Sequence, residues 1–266
     1  MPRYNYKWNE EKIRRYIKEG RGKGEFEQYQ PWLTVRDVPS TGRVARIPGT
    51  KINRIYHTLS DLERNAFLLF EWSDKIIDIR EQYPILNRDK TAEIADILGF
   101  KHPVYPNTKT KTVVTLDFLL TARDKSGKIT TYARSIKPSS ELTDERTIQK
   151  LLIERQYFMQ EGINWAVITE KEIPKVLANN LYDLRDSSLY ISEIDQQLIH
   201  EINELFLNQN PESKIIDSVV EIGRELYVSH EKVLKVLHYL VYNKKIRINL
   251  NEKLNFHQSW KKGLVD

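Results

Sequence analysis

Two apolar segments joined by a turn restrict the fold of this chain more than any other feature. TVVTLDFLLTA (112–122) and ITTYARSIK (129–137) flank RDKSGK (123–128), whose Asp, Ser and Gly are turn formers. β-Branched and aromatic residues dominate both arms, which predicts an antiparallel hairpin. Asp117 interrupts the first arm between Leu116 and Phe118. A carboxylate buried there without compensation is costly, so it must lie at an edge, be hydrogen-bonded or hold a metal. Lys137 ends the second arm, directly before Pro138. Pairing the arms brings Asp117 near Ser135, Ile136 and Lys137.

The flanking segments supply the rest of an α/β domain. SDLERNAFLLFEW predicts a helix from Ser60, with Leu62, Ala66, Leu69 and Phe70 on one face. Ser60 and Glu63 have capping-box spacing. KIIDIREQYPIL predicts a strand stopping at Pro84, and TAEIADILGF a short helix ending at Gly99. After the hairpin, TDERTIQKLLIERQYFMQEG predicts a long helix with Ile148, Leu151, Leu152 and Phe158 as its apolar face. INWAVITE reads as a buried strand and KEIPKVLANNLYDLR as a further helix. These elements make a small mixed sheet that helices can cover on both faces. A composition shift at RDSSLYISEID predicts domains 1–186 and 187–266. The second reads as three helices and a β-ribbon formed by KIRINL and KLNFHQ, the order of a winged helix.

With 266 residues, 40% hydrophobic and 30% charged, the chain can bury a sizeable core. It has no cysteine, which excludes disulfides and thiolate metal sites. No apolar run suits a membrane span or a signal peptide, so a cytoplasmic protein is expected. The net charge is +5 and the isoelectric point about 9.1, which favours a polyanionic partner. The charge concentrates in KIRRYIKEGRGKG and TGRVARIPGTKINR, where glycines let the backbone approach phosphate. Arg14, Arg15, Arg21, Lys23 and Arg43 are therefore candidate DNA contacts, or else a solvated arm. No Walker A motif is present, and the histidines lack zinc-site spacing.

Glu63, Asp117 and Lys137 form a chemically coherent set. Phosphodiester hydrolysis needs a metal that polarises phosphate and activates water. Mg²⁺, or Mn²⁺ in its place, takes hard oxygen ligands, and two carboxylates with a main-chain carbonyl suffice. A neighbouring lysine can orient or deprotonate water, or steady developing charge. Each residue also has a purely structural reading: Glu63 as the capping acid, Asp117 as a strand-edge charge, Lys137 as a solvated strand end.

This arrangement resembles the PD-(D/E)xK superfamily, the restriction-endonuclease-like fold. More closely, the chain is similar to the TnsA family, the endonuclease subunits of heteromeric transposases. The resemblance rests on RRYIKEGRGKG, YQPWLTVRDVPSTGR, HTLSDLERNAFLLFEW, DIREQYPIL, KHPV, TLDFLL, IKPSSELTDERTIQKLLIERQYF and INWAVITEKEI, in that order. It implies Glu63 and Asp117 as metal ligands, the main-chain carbonyl of Ile136 as another, Lys137 as the catalytic lysine and Glu154 as a further active-site acid. Ser135 occupies the position where the superfamily carries Asp or Glu and TnsA proteins often carry Gln, so a side-chain ligand there is weak.

The resemblance further implies cleavage of double-stranded DNA at the 5′ ends of a transposon in the bacterial nucleoid. Its implied partners are a DDE-type, TnsB-like transposase subunit and an AAA+, TnsC-like ATPase regulator, docked by the C-terminal domain. A DNA-binding adaptor with weak catalysis and a stand-alone restriction-type nuclease are the alternative readings.

Overall fold

The computed structural model describes residues 8–38, 43–106 and 108–264. The chain divides into two compact units, Met1–Ile173 and Pro174–Asp266.

In the first unit, helix α1 (Glu10–Lys18) starts at Asn9, whose side chain accepts the Lys12 N–H. Its inner face packs Ile13 and Tyr16 against Trp8, Trp32 and Val113. The Trp8 and Trp32 rings stack at 5.9 Å. Over its described residues, the basic N-terminal segment is therefore packed structure rather than a solvated arm. Arg21 is not a free cation. Its guanidinium donates to Asp37 Oδ2 at 2.8 Å, Trp32 O at 3.1 Å and Glu19 Oε2 at 3.0 Å, and lies 3.5 Å over the Tyr16 ring. Arg14, Arg15, Lys23 and Arg43 are exposed.

A two-stranded ribbon, β1 (Ala45–Pro48) and β2 (Ile55–Thr58), precedes helix α2 (Asp61–Trp72). Sequence periodicity does not announce this ribbon, because its strands are short. It is tied down by Arg54, which donates to Glu81 Oε1 at 3.0 Å and Oε2 at 2.6 Å, a pair buried on both sides.

The main sheet has the order β3 (Ile76–Ile85), β4 (Val114–Arg123), β5 (Ile129–Ile136), β6 (Asn164–Ile168). The first two pairings are antiparallel and the third is parallel. Strand β3 does not stop at Pro84, which pairs with Thr115. It is an outer strand of the sheet, where a missing N–H is tolerated. Strand β6 is only partly buried, because it forms the opposite edge.

Helix α3 (Arg88–Ile97) packs on helix α4 (Glu145–Gln160), which is also the crossover between the parallel strands β5 and β6. Phe158 of α4 meets Ile85, Leu116, Leu119 and Ala133, while Ile153 meets Ile94 and Ala95 of α3. Ile148, expected on the buried face, is exposed, and Glu154 is buried instead. The inward stripe runs through residues 151, 154 and 158, one helical turn apart. Phe70 of α2 packs on Phe118 with ring centroids 5.5 Å apart.

The second unit contains α5 (Lys175–Tyr190), α6 (Gln196–Leu207), α7 (Ile215–Glu225), α8 (His230–Tyr242) and a short α9 (Trp260–Gly263). Its start at Pro174 precedes the expected boundary near 187, because α5 packs against α8. The three expected helices are present as α6, α7 and α8. The expected ribbon of KIRINL and KLNFHQ does not form. KIRINL has one isolated bridge, Ile248↔Leu264, and KLNFHQ has none among the described residues. Their backbone groups bond elsewhere. Asn180 Nδ2 donates to Leu250 O and Glu252 O, and Ile215 N–H and Ile216 N–H donate to Gln258 O and Phe256 O. Among the described residues no helix is long and apolar enough to cross a membrane.

Candidate active site

The site lies where the β4–β5 ladder comes apart. The last pair is Phe118↔Arg134, and the same register sets Asp117 opposite Ser135. There the Asp117 side chain takes over from the backbone: Oδ2 accepts the Ile136 N–H at 2.6 Å. Strand β5 meanwhile stays paired to β6 through Ser135↔Val167 and Ile136↔Ile168. The Lys137 N–H continues that line to Ile168 O at 3.1 Å. This pins the backbone of Lys137, and its Nζ turns back to Asp117 Oδ2 and Ile136 O, both at 2.9 Å.

Glu63 enters from the first turn of α2. Ser60 caps that helix, its Oγ accepting the Glu63 N–H at 3.1 Å and donating to Glu63 Oε1 at 3.0 Å. Glu63 Oε2 accepts the Leu59 N–H at 2.9 Å. The capping reading is thus correct and does not compete with an active-site role. A second donor to Oε2, at 3.2 Å, is Gln82 Nε2. The pairs Glu81↔Phe118 and Tyr83↔Leu116 set Gln82 across from Asp117 on β4. Its φ of 49° is left-handed, a strained conformation for a non-glycine residue and one that concentrates at functional sites. Sequence reasoning missed Gln82. Its one signal was the polar run Arg80-Glu81-Gln82 inside an otherwise apolar strand.

Ser135 is buried and donates its hydroxyl to Glu154 Oε1, which also accepts the Trp165 Nε1–H at 2.6 Å. Four expected side chains, Glu63, Asp117, Lys137 and Glu154, therefore share one electrostatic neighbourhood. Arg14, Arg15, Lys23 and Arg43 make no hydrogen bond to this group.

Burial, and then the nearby Asp117 carboxylate, raise Glu63 from 4.5 to about 7. Burial raises Glu154 to about 7 against the Ser135 hydrogen bond, with Asp117 adding to the rise. Burial favours a neutral Lys137, but Asp117, Glu154 and Glu63 outweigh it and hold the amine above its usual range. These neighbours favour the ammonium form of Lys137 and set it as a cation beside Asp117 Oδ2.

The donor set fits a hard divalent cation. Glu63 and Asp117 offer carboxylate oxygens that repel one another across a buried space, and Asp117 Oδ1 accepts no hydrogen bond among the described residues. The Ile136 carbonyl accepts from Lys137 Nζ at 2.9 Å and has a second lone pair for a cation. Among the described residues no cluster of three or more His, Asp or Glu side chains is built to hold a metal alone. Phosphate oxygens and water would complete the shell, as is usual for Mg²⁺.

These carboxyls make stability depend on pH. A carboxyl whose folded pKa exceeds its unfolded value favours folding below the unfolded pKa, and that contribution is lost as pH rises through the folded pKa. For Glu154 the window runs from 4.5 to about 7, and full ionisation removes about 3 kcal/mol. The melting temperature of metal-free protein should therefore fall between about pH 5 and about pH 8. Glu154→Gln should flatten the fall, and Mg²⁺ should lessen it in the wild type. Melting curves that are flat over this range in the wild type would contradict the assignment.

Residues 73–170 match the family described as TnsA-like endonuclease N terminal. Over 252 residues the chain is 38% identical to the transposon Tn7 transposition protein TnsA of Escherichia coli, covering 94% of this chain and 90% of that protein. A match of that identity, extending through both units, shows that the chain belongs to the TnsA family of endonucleases.

Proposed function

We infer that this protein hydrolyses phosphodiesters at the 5′ ends of a transposon with a divalent metal, Mg²⁺ or Mn²⁺, as part of a transposase complex. The observation that carries the reading is the convergence of Lys137 Nζ and the Ile136 N–H on Asp117 Oδ2, with Glu63 facing the same carboxylate. When bound, the metal would polarise the scissile phosphate and acidify its water. Glu63 and Asp117 would hold it, with the Ile136 carbonyl as a third donor. Lys137, held against Asp117, orients the attacking water and offsets the charge that develops on phosphate. Glu154 holds the Ser135 hydroxyl turned toward itself and supplies a buried acid near Asp117 in place of the side-chain acid that position 135 lacks.

Asp117→Ala should lower DNA cleavage about a thousandfold or more while the protein stays folded. Ser135→Ala should cost less than about tenfold, since a hydroxyl that donates to Glu154 is not needed on the metal. A nicking assay on end-containing DNA with Mg²⁺, with and without the partner transposase, reads both. Wild-type rates in the Asp117 variant would remove the site.

The exposed cations Arg14, Arg15, Lys23 and Arg43 supply phosphate contacts. Replacing Arg14, Arg15 and Lys23 with Ala should flatten log affinity against log salt by roughly one unit for each phosphate no longer neutralised. Arg21→Ala should leave that slope unchanged and lower the melting temperature, because its charge is spent on Asp37. The opposite pattern in fluorescence anisotropy and melting would return Arg21 to the DNA face.

The partners are a DDE-type, TnsB-like transposase subunit and an AAA+, TnsC-like ATPase regulator. The second unit docks them. Its helix order α6–α7–α8 and the bridge Lys214↔Ser259 support a winged-helix-like domain with a reduced wing. Helix α8 buries Val233, Val236, Leu237 and Leu240 and exposes Lys232 and Lys235, a face poor in base-reading groups. A chain ending at Ile173 should retain DNA affinity and fail to pull down either partner. Pull-down by the shortened chain would place the docking surface in the first unit.

A further inference from the structure

A groove of about 1160 Å³ opens from the active site, and both Lys137 and Glu154 line it. One wall is the connection between α3 and β4, including Phe100, Lys101, His102, Val104 and Tyr105; the other is the first half of α4. Along α4, Arg146, Lys150 and Glu154 recur every four residues, so they form one stripe with a step of about 6 Å. The stripe starts at the active-site acid and runs outward as two cations. Lys101 faces it from the opposite wall.

Arg146 is pre-oriented. Its Nη1 donates to Lys101 O at 2.8 Å and to Gln149 Oε1 at 2.9 Å, which leaves the rest of the fork without an acceptor among the described residues. Lys101 and Lys150 are exposed and form no ion pair there. Glu141 also lines the groove, but beside Lys137 the walls offer three further cations to one exposed acid. The remaining lining mixes polar groups, among them His102 and Gln149, with an apolar strip that includes Phe100, Val104 and Tyr105, and Val104 is 42% exposed, which suits the sugars of a nucleic-acid strand.

We propose that this groove grips the cleaved DNA strand beyond the scissile phosphate, with Arg146, Lys150 and Lys101 on its phosphates and Phe100, Val104 and Tyr105 against its sugars. The inference rests on the endonuclease reading of the same site and adds which way the strand leaves it. The three cations are positioning residues. They hold the strand so that the bond to be broken rests against Lys137 and the two metal-ligating carboxylates.

The test uses the full chain, an end-containing duplex and three variants: Arg146→Ala with Lys150→Ala, Arg146→Lys with Lys150→Arg, and Lys101→Ala with Lys150→Ala. The last touches only exposed side chains and serves if the first fails to fold. Each Ala pair should flatten log affinity against log salt by about two units. Each should also raise the DNA concentration needed for half-maximal single-turnover cleavage by tenfold or more, with a smaller change in rate at saturation. The charge-keeping pair should bind like the wild type.

Neutral methylphosphonates, placed singly beside the cut bond, should weaken the wild type on one side of it only and leave the Ala pairs indifferent. If the wild type cuts DNA while folded Ala pairs keep its salt slope and half-saturation, the groove assignment is wrong and the nuclease reading stands. Equal loss in the charge-keeping pair would likewise overturn it, by pointing to helix packing. If the wild type cuts nothing but the Ala pairs still lose DNA affinity, the groove stands and the nuclease reading fails.

Discussion

The site depends on one substitution of a side chain for a backbone. Asp117 Oδ2 accepts the Ile136 N–H, which the β4 backbone leaves unpaired as the two strands diverge. A buried N–H without an acceptor costs on the order of 1–3 kcal/mol, so this bond makes the divergence tolerable. The divergence in turn opens the space into which Glu63 and Lys137 reach. Strand β6 holds β5 straight through the same stretch, so Lys137 emerges at a fixed height beside Asp117. Removing the carboxylate therefore takes away the cap for Ile136 and the partner of Lys137 together.

Around that bond the protein concentrates unfavourable terms. Glu63 and Glu154 lie buried near Asp117, and Gln82 holds a left-handed backbone to reach Glu63. Left-handed geometry costs roughly 1–2 kcal/mol for an L-residue, and burial holds Glu63 and Glu154 well above the ordinary carboxyl range. A cation between Glu63 and Asp117 would relieve their mutual repulsion. The same carboxylates favour the ammonium form of Lys137 and hold it against Asp117. The surrounding packing offsets the strain, with Phe118 under Phe70 on one side and Leu116 and Leu119 against Phe158 on the other.

Much of this was legible in the residues. The hairpin, Asp117 within it, Lys137 at its end, the Ser60–Glu63 cap and the order of helices follow from periodicity, turn chemistry and the cost of burying charge. Arg146, Lys150 and Glu154 also stand at helical spacing in the sequence, but spacing does not say that Lys101 faces them. Two things were out of reach because they arise between segments distant along the chain. Arg21 reads as a phosphate contact until Asp37 and Tyr16 fold against it. Gln82 acquires meaning only when register sets it across from Asp117.

The sequence by itself determined which groups could do chemistry and on which kind of element each would stand, because local propensity and the penalty for buried charge act on short stretches. It also determined kinship, since identity extends along nearly the whole chain. Tertiary structure decided which of those groups meet and which are used up internally. It also left KIRINL and KLNFHQ as loops rather than a ribbon, because Asn180 and α7 supplied hydrogen-bond partners for them. The reason in each case is that a buried polar group takes its partner from whatever element packs beside it, and packing is a property of the assembled fold.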